Sequence, residues 1–142
     1  MSDYSAKKEW TTRYLNNAMM YPAENLIRIF KGSYPKLNLK KLDFKNKKIC
    51  DSGFGDGRNI AFFDQLKFNT FGMEISQEIV DTVQSNLKNL NISSDLRVGS
   101  NSTIPFDDGF FDFVVAWDSI YYMGDGRNFL QHVMEHARIL KP

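Results

Sequence analysis

The sequence is poor in cysteine and has no long apolar run. Its one cysteine, Cys50, cannot form an internal disulfide, which excludes a small secreted domain held together by disulfides. No apolar run approaches the ~20 residues that a membrane-spanning helix needs, and the first residues lack the pattern of a secretory leader. These absences predict a cytoplasmic protein without a membrane partner.

Net charge is also low. The formal charge of +1 gives no overall field that would attract nucleic acid, so we expect no nucleic-acid partner. The charge is uneven, however, with +7 on residues 1–48 and −6 on residues 49–142. A basic N-terminal third could contact an anionic partner, although such lysines more often form a solvated face. At 142 residues the chain has the length of one domain.

Glycine, by contrast, is concentrated in one place. Gly53, Gly55 and Gly57 alternate after an apolar run that ends in Asp51, and a helix-like stretch begins at Arg58. The pattern predicts a strand, a tight turn and a helix. Glycine allows a positive φ or the close approach of a ligand, and the unpaired N–H groups of a helix start can bind ligand oxygens. An ordinary strand-to-helix turn remains the alternative interpretation.

The rest of the chain predicts alternating strands and helices. Further strands are expected at 70–75, 96–98 and 111–117, the last of them apolar enough to be buried on both faces. Helices are expected at 6–17, 22–32, 58–66, 76–90 and 125–140, with a lysine-rich loop at 31–48.

Three local signals refine these helices. Pro22 suits the first position of its helix, and Ser76 suits an N-cap. The helix after Ser76 has apolar residues at helical spacing, namely Ile79, Val80, Val83, Leu87 and Leu90. The last helix is expected to bury a similar stripe of Phe129, Leu130, Val133, Ala137 and Leu140.

Strands that alternate with helices predict the α/β class, a Rossmann-like parallel sheet with flanking helices and right-handed crossovers. We divide the chain into a helical cap with a basic linker, 1–44, and the Rossmann-like domain, 45–142. Glu74 ends the second strand, 21 residues after Gly53. An open α/β sheet often places an acid at this point, where its carboxylate can accept hydrogen bonds from the two hydroxyls of a ribose.

The glycine stretch does not fit the dehydrogenase fingerprint G-x-G-x-x-G, because the third glycine falls one position early. Acidic-x-G-x-G-x-G instead resembles the first motif of the class I S-adenosylmethionine-dependent methyltransferases. Glu74 follows in the family's order, and Ile104–Asp112 is similar to the family's Leu-Pro-Phe…Phe-Asp stretch. Ala137–Pro142 resembles the end of the helix after strand four. The likeness covers nearly all of 45–142 and is closest to small-molecule methyltransferases.

This resemblance implies S-adenosylmethionine as the cofactor. Its methionine part would lie on the loop Asp51–Gly57, and its ribose would meet Glu74. The family usually has an acid that receives the adenine amino group where this chain has Ser100, so Ser100 or Asn101 would act there only as a neutral acceptor.

The resemblance also implies roles near the methyl group. Tyr14 and Tyr21 would cover the cofactor, as the N-terminal region does in many relatives. Trp117 would line the site or simply belong to the core. Asp118, at the exit of strand four, is a candidate general base for a small-molecule acceptor, and a turn-capping role is the equal alternative.

Family members continue after Leu-Lys-Pro to complete a seven-stranded sheet, whereas this sequence stops at Pro142. We therefore expect four of the seven strands, with strand four exposed along one edge. Such an edge would self-associate or be covered by a missing C-terminal segment.

A competing motif and an alternative function have to be weighed against this interpretation. His132-Val133-Met134-Glu135-His136 spells the inverted zinc-protease pattern H-x-x-E-H, but no third ligand follows it, so we expect no metal. A non-catalytic nucleotide-binding or interaction module could also keep this fold without turnover.

Overall fold

The computed structural model describes residues 3–15, 21–122 and 129–142, with side chains from residue 7 onward. The helices are α1 (Asp3–Leu15), α2 (Glu24–Phe30), α3 (Arg58–Gln65), α4 (Gln77–Asn89) and α5 (Phe129–Ile139). The strands are β1 (Lys48–Ser52), β2 (Asn69–Glu74), β3 (Ser94–Val98) and β4 (Phe113–Val115). None of the described helices has the length and hydropathy to cross a membrane. The predicted start of the last helix, at residues 125–126, lies outside the described ranges.

The four strands form one sheet in the order β3-β2-β1-β4, and every strand pair is parallel. This arrangement confirms the predicted Rossmann-like α/β fold with four strands. The register pairs Asp51 of β1 with Gly72 of β2 and Val115 of β4. The carboxyl ends of β1, β2 and β4 therefore meet at one edge of the sheet, where ligands of open α/β folds bind.

Side chains of β1 alternate between the two faces of the sheet, and a different buried cluster covers each face. Ile49 packs with Phe63 of α3 and Phe30 of α2 in one buried cluster. Cys50 packs with Ile139 of α5 in a cluster on the opposite face. Because α2 shares a buried cluster with β1 and α3, it is packed into the sheet domain, and the division at residue 44 stays a prediction.

α4 follows its sequence pattern. Ile79, Val80, Val83 and Leu87 are buried and pack in a cluster with α3 and β3. Leu90, the last residue of the predicted stripe, is 55% exposed because the helix ends before it.

Two predicted helix starts differ in detail from the structure. α2 begins at Glu24 rather than at Pro22, because the N–H of Ala23 donates to Oδ1 of Asn59 at 3.0 Å and Ala23 becomes the N-cap. Ser76 does hold the N-cap position of α4, but its hydroxyl makes no capping hydrogen bond. That hydroxyl is buried and has no partner among the described residues.

β4 is shorter and less buried than predicted. It contains only Phe113–Val115, and all three residues are half-buried, so burial on both faces is wrong. β4 is an edge strand, and no other described strand pairs with its outer side. Phe111, just before it, exchanges hydrogen bonds with the C-terminal segment: its N–H donates to Ile139 O and its C=O accepts from Lys141, both at 2.9 Å.

α5 presents a different face from the predicted one. Its buried residues are His132, His136 and Ile139. Four apolar residues are exposed instead, namely Phe129, Leu130, Val133 and Met134. The predicted apolar stripe is therefore wrong, because the helix turns its histidines toward the polar end of β1.

Candidate functional site

The glycine loop after β1 has the backbone geometry that only glycine adopts easily. Gly53, Gly55 and Gly57 have φ values of 77°, 56° and 80°. Gly57 is also the N-cap of α3, so the loop leads directly into a helix start. A Cβ at Gly53 would lie only 2.5 Å from Cβ of Ser119, closer than real Cβ atoms approach. The alternating glycines therefore meet a conformational and a steric requirement at the same time.

Glu74, at the end of β2, faces this loop and is 8% exposed. Oε2 accepts a hydrogen bond from the N–H of Gly55 at 3.0 Å, and Oε1 accepts one from the N–H of Ile75 at 2.7 Å. Burial raises the pKa of Glu74, and these two backbone hydrogen bonds lower it in part. Each carboxylate oxygen has a second lone pair, so Glu74 can hold the loop and still accept from a ligand hydroxyl.

Asp51 is the most unusual group of the site. It is 1% exposed, and neither carboxylate oxygen has a hydrogen-bond partner among the described residues. Burial first, and then the charge of Glu74, raises the pKa of Asp51 to about 7. The Asn59 side chain acts in the opposite direction and lowers this pKa in part. A buried carboxylate without a partner costs stability, so the position suits a cationic ligand group.

Tyr14 of α1 lies directly on the glycine loop. A Cβ at Gly55 would be 2.6 Å from its Cζ, so the ring fills the space above that glycine. Burial, followed by the charges of Glu74 and Asp56, raises the pKa of Tyr14 to about 12. Tyr14 therefore lies over the loop, and its role in covering the cofactor stays a prediction. Tyr21, by contrast, is 91% exposed and does not line the cavity beside the loop.

That cavity has a volume of about 320 Å³ and begins at Gly53 of the loop. The aromatic residues that line it are Trp10, Tyr14, Phe54, Trp117, Tyr121 and Tyr122. Trp10 stacks on Tyr14 with ring centroids 5.5 Å apart and meets Tyr122 edge-on at 5.3 Å. α1 and the turn after β4 thus form its walls together.

Asp118 lines the same cavity and is exposed. Its φ of 54° is left-handed, an uncommon conformation for a residue other than glycine. The hydroxyl of Tyr121 donates to Oδ1 of Asp118 over 3.5 Å. The structure brings Asp118 to the cavity mouth, and its role as a general base stays a prediction.

Asn101 and Ser100 are turned to other partners. Oδ1 of Asn101 accepts from the hydroxyl of Ser52 at 3.1 Å, and its Nδ2 donates to the carbonyl of Ser119 at 2.8 Å. The Ser100 hydroxyl lies 3.1 Å from that of Ser102. Neither residue lines the cavity, so their adenine role stays a prediction.

The H-x-x-E-H residues have structural roles. His132 donates through Nδ1 to the carbonyl of Ile120 at 2.8 Å, and Glu135 accepts from the N–H of Ile104 at 2.9 Å. His136 contacts Ser52, with Nε2 and Oγ 2.9 Å apart. Among the described residues no group of three His, Cys, Asp or Glu side chains could hold a metal ion.

Sequence reasoning missed several residues of the site. Trp10 and Arg13 of α1 line the cavity, as do Asp56 and Arg58 of the loop and α3. Asp56 Oδ1 accepts from the N–H of Arg58 at 3.1 Å. Trp10 and Tyr14 stand four residues apart on one helix face, and that spacing could have indicated a joint role.

Comparison with known proteins places this site in a family. A family model described as "Methyltransferase domain" matches residues 50–142, which is more than half of the chain. The chain belongs to the methyltransferase domain family. The matched segment begins just before Asp51 and contains the whole glycine loop and Glu74. A search of curated proteins found no match.

Solved structures similar to this methyltransferase domain show the fold. The [4+2]-cyclase SpnF has a TM-score of 0.74 at 17% identity, covering 100% of this chain and 57% of its own. A putative methyltransferase, solved in complex with the Haloferax volcanii Trm112 activator, has a TM-score of 0.70 at 22% identity, covering 99% of this chain and 57% of its own. A putative S-adenosylmethionine-dependent methyltransferase from Methanococcus maripaludis has 0.64 at 22%, covering 96% and 55%. The chain thus spans little more than half the length of these proteins.

Proposed function

We propose that this chain binds S-adenosylmethionine and supplies the cofactor-binding part of a methyltransferase that acts on a small-molecule acceptor. The observation that carries the proposal is Asp51, a fully buried carboxylate with no hydrogen-bond partner among the described residues, beside a glycine loop. A ligand with a positively charged group would remove the cost of that buried charge. Membership of the methyltransferase domain family supports the same reading.

The residues present fit the cofactor. Asp51 offers its free carboxylate to the ammonium of the methionine part. Glu74 retains lone pairs for ribose hydroxyls. When bound, S-adenosylmethionine supplies a methyl group attached to a sulfonium sulfur, and that sulfur is the leaving group. Tyr14 lies against Gly55, so its ring has to move before a ligand can contact that glycine.

The acceptor side of the proposal rests on the cavity. Its volume of about 320 Å³ is at the small end of the range of ligand pockets. Aromatic walls would orient an acceptor, and positioning supplies much of the rate enhancement when the donor carries its own leaving group. Asp118 would act as general base for a hydroxyl acceptor. A cytoplasmic location stays a prediction.

A non-catalytic nucleotide-binding or interaction module is the second candidate. One structural neighbour is a [4+2]-cyclase, so this fold alone does not establish methyl transfer. The Trm112 activator in the Haloferax volcanii complex is likewise a partner of that protein and is not assigned to this chain.

Calorimetry with S-adenosylmethionine and with its demethylated product tests the proposal. Glu74→Ala should weaken binding roughly tenfold or more, because a hydrogen bond to a charged group is worth about 1.5–3 kcal/mol. Glu78→Ala is the matched control, since Glu78 lies in the exposed first turn of α4. Equal binding by Glu74→Ala and the parent would refute the ribose role, and no binding by the parent would refute the proposal.

A further inference from the structure

Two of the three buried side chains of α5 are polar. His132 is 1% exposed and His136 is 7% exposed. Nδ1 of His136 lies 2.7 Å from the carbonyl oxygen of His132, and its Nε2 lies 2.9 Å from Oγ of Ser52. A carbonyl oxygen can only accept, so Nδ1 of His136 carries a proton.

Ser52 is the last residue of β1 and directly precedes Gly53. Its hydroxyl contacts His136 on one side and Oδ1 of Asn101 on the other, at 3.1 Å. Nδ2 of Asn101 donates to the carbonyl of Ser119, which fixes the orientation of the amide. The hydroxyl of Ser119 donates in turn to the carbonyl of Ser52. One serine therefore joins α5, the turn after β3 and the turn after β4 at the base of the glycine loop.

The number of protons in this chain of contacts depends on His136. If its ring is neutral, Nε2 is an acceptor and takes the single hydroxyl proton of Ser52. Oγ of Ser52 and Oδ1 of Asn101 then face each other as two acceptors without a proton between them. If the ring is protonated, Nε2 donates to Ser52, and the Ser52 proton is free for Asn101. Every contact is satisfied only in the protonated form.

We propose that His136 is a positioning residue for the glycine loop, and that protonation of its ring completes the hydrogen-bond chain His136–Ser52–Asn101 at the base of that loop. The loop holds Gly53 and Gly55, so a change at Ser52 reaches the place where the cofactor is proposed to bind. The inference rests on the proposed function only in that last consequence.

Two opposing influences act on the ring. Burial is the largest influence and lowers the pKa of His136 overall; the neighbouring His132 also lowers it, whereas hydrogen bonding to the His132 carbonyl and the charge of Glu135 raise it in part. The groups that meet the ring from the sheet side are neutral, namely Ser52 and, beyond it, Asn101. Asp51 projects from the opposite face of β1. Acidification therefore completes the chain of hydrogen bonds while it places a charge in a buried position.

The test is an NMR titration of His136 in the 142-residue chain without added ligand. Asn101→Ala should lower the pKa of His136, although Asn101 does not contact the ring, because a neutral ring then leaves no unsatisfied acceptor. Ser100→Ala is the control, since its hydroxyl pairs with Ser102 instead, and it should leave the titration unchanged. An unchanged or raised pKa of His136 in folded Asn101→Ala overturns the proposal.

Ser52→Ala provides the second arm and keeps the proposal testable if Asn101→Ala does not fold. It should lower the pKa of His136 as well, and adding Asn101→Ala to it should cause no further change. A full Asn101 effect without Ser52 would show that the influence does not pass through the serine, which also overturns the proposal. The protection factor of the Gly53 amide, which is corrected for the pH dependence of intrinsic exchange, should rise several-fold on acidification through the His136 titration, but not in Ser52→Ala. These measurements need no cofactor, so their outcome does not depend on whether the proposed function is correct.

Discussion

α4 and α5 lie against the same sheet, but α4 buries its apolar stripe whereas α5 exposes most of its apolar residues. α4 buries Val83 and Leu87 and exposes polar residues, as an amphipathic helix does. α5 buries His136 and exposes Leu130 and Met134, at 63% and 62%. The first helix completes a core, whereas the second contributes a polar contact to the site and leaves an apolar surface uncovered.

The same contrast occurs between two adjacent residues of β1. Asp51 and Ser52 point to opposite faces because side chains alternate along a strand. On the face of α3, Asp51 has no hydrogen-bond partner among the described residues, whereas on the face of α5 the Ser52 hydroxyl contacts both His136 and Asn101. On one face a buried carboxylate thus lacks a partner in the described part of the chain, while on the other face hydrogen bonds hold the end of the strand in place.

The largest expected effect separates the two helices by stability. Leu87→Ala should lower the free energy of unfolding by about 2–5 kcal/mol, because Leu87 is fully buried and truncation leaves a cavity. Leu130→Ala, at an exposed site of α5, should change it by no more than about 0.5 kcal/mol. Urea unfolding of the two variants at low protein concentration measures the difference. Equal costs would mean that the outer face of α5 is buried in solution.

The next effect concerns Asp51 and depends on pH. Its carboxyl has a pKa near 7 in the fold and an ordinary value of 3.8, so the folded chain binds the proton more strongly. Stability is then highest at acidic pH and is lost as pH rises from about 4 to 7, by up to about 4 kcal/mol. Asp51→Asn should therefore stabilise the chain at pH 8 and have little effect near pH 4, while it weakens S-adenosylmethionine binding.

Thermal unfolding at both pH values, together with calorimetry, checks this prediction. Asp107→Asn is the control, because Asp107 is exposed and should alter neither stability nor binding. A destabilising Asp51→Asn at pH 8 would show that the carboxylate already has a stabilising partner. Such a result would remove the main support for the proposed function.

Prediction from sequence succeeded where a local pattern of residues determines the structure. The alternation of strands and helices, the stripe of α4 and the three loop glycines follow from local pattern and from the conformational freedom of glycine, and the structure agrees with them. In α5 the apolar residues also recur at helical spacing. That spacing does not say which face meets the sheet, and here the hydrogen bonds of His132 and His136 set the rotation of the helix.

The candidate site was predicted in part for the same reason. Asp51 and Glu74 follow from their positions at strand ends, which the fold class fixes. The pairing of Asn101 with Ser52 and Ser119 joins residues 49 and 18 positions apart, and no local pattern contains such contacts. The contact of Tyr14 with Gly55 likewise depends on how α1 folds back onto the sheet.

The smallest expected effect is weak self-association through the uncovered side of the sheet. The N–H of Asp112 donates inward to the carbonyl of Lys48 at 3.0 Å, so by alternation the N–H and C=O of Phe113 point outward. The open edge is only three residues long and Phe111 is already paired, so the long bare edge expected from the sequence is wrong. A short open edge and an exposed apolar helix face each still favour contact with a second copy.

Sedimentation and light scattering at tens of micromolar should therefore show a concentration-dependent dimer that dissociates on dilution. The double substitution Leu130→Lys and Met134→Lys should restore the monomer without a loss of stability, because both side chains are exposed and like charges on two copies repel. Leu42→Lys, at a 52% exposed leucine in the lysine-rich loop, should leave association unchanged. A parent chain that stays monomeric, with the amides of β4 exchanging freely, would show that this face does not bind itself. The exposed apolar face of α5 would then be a feature of the fold without a role in self-association.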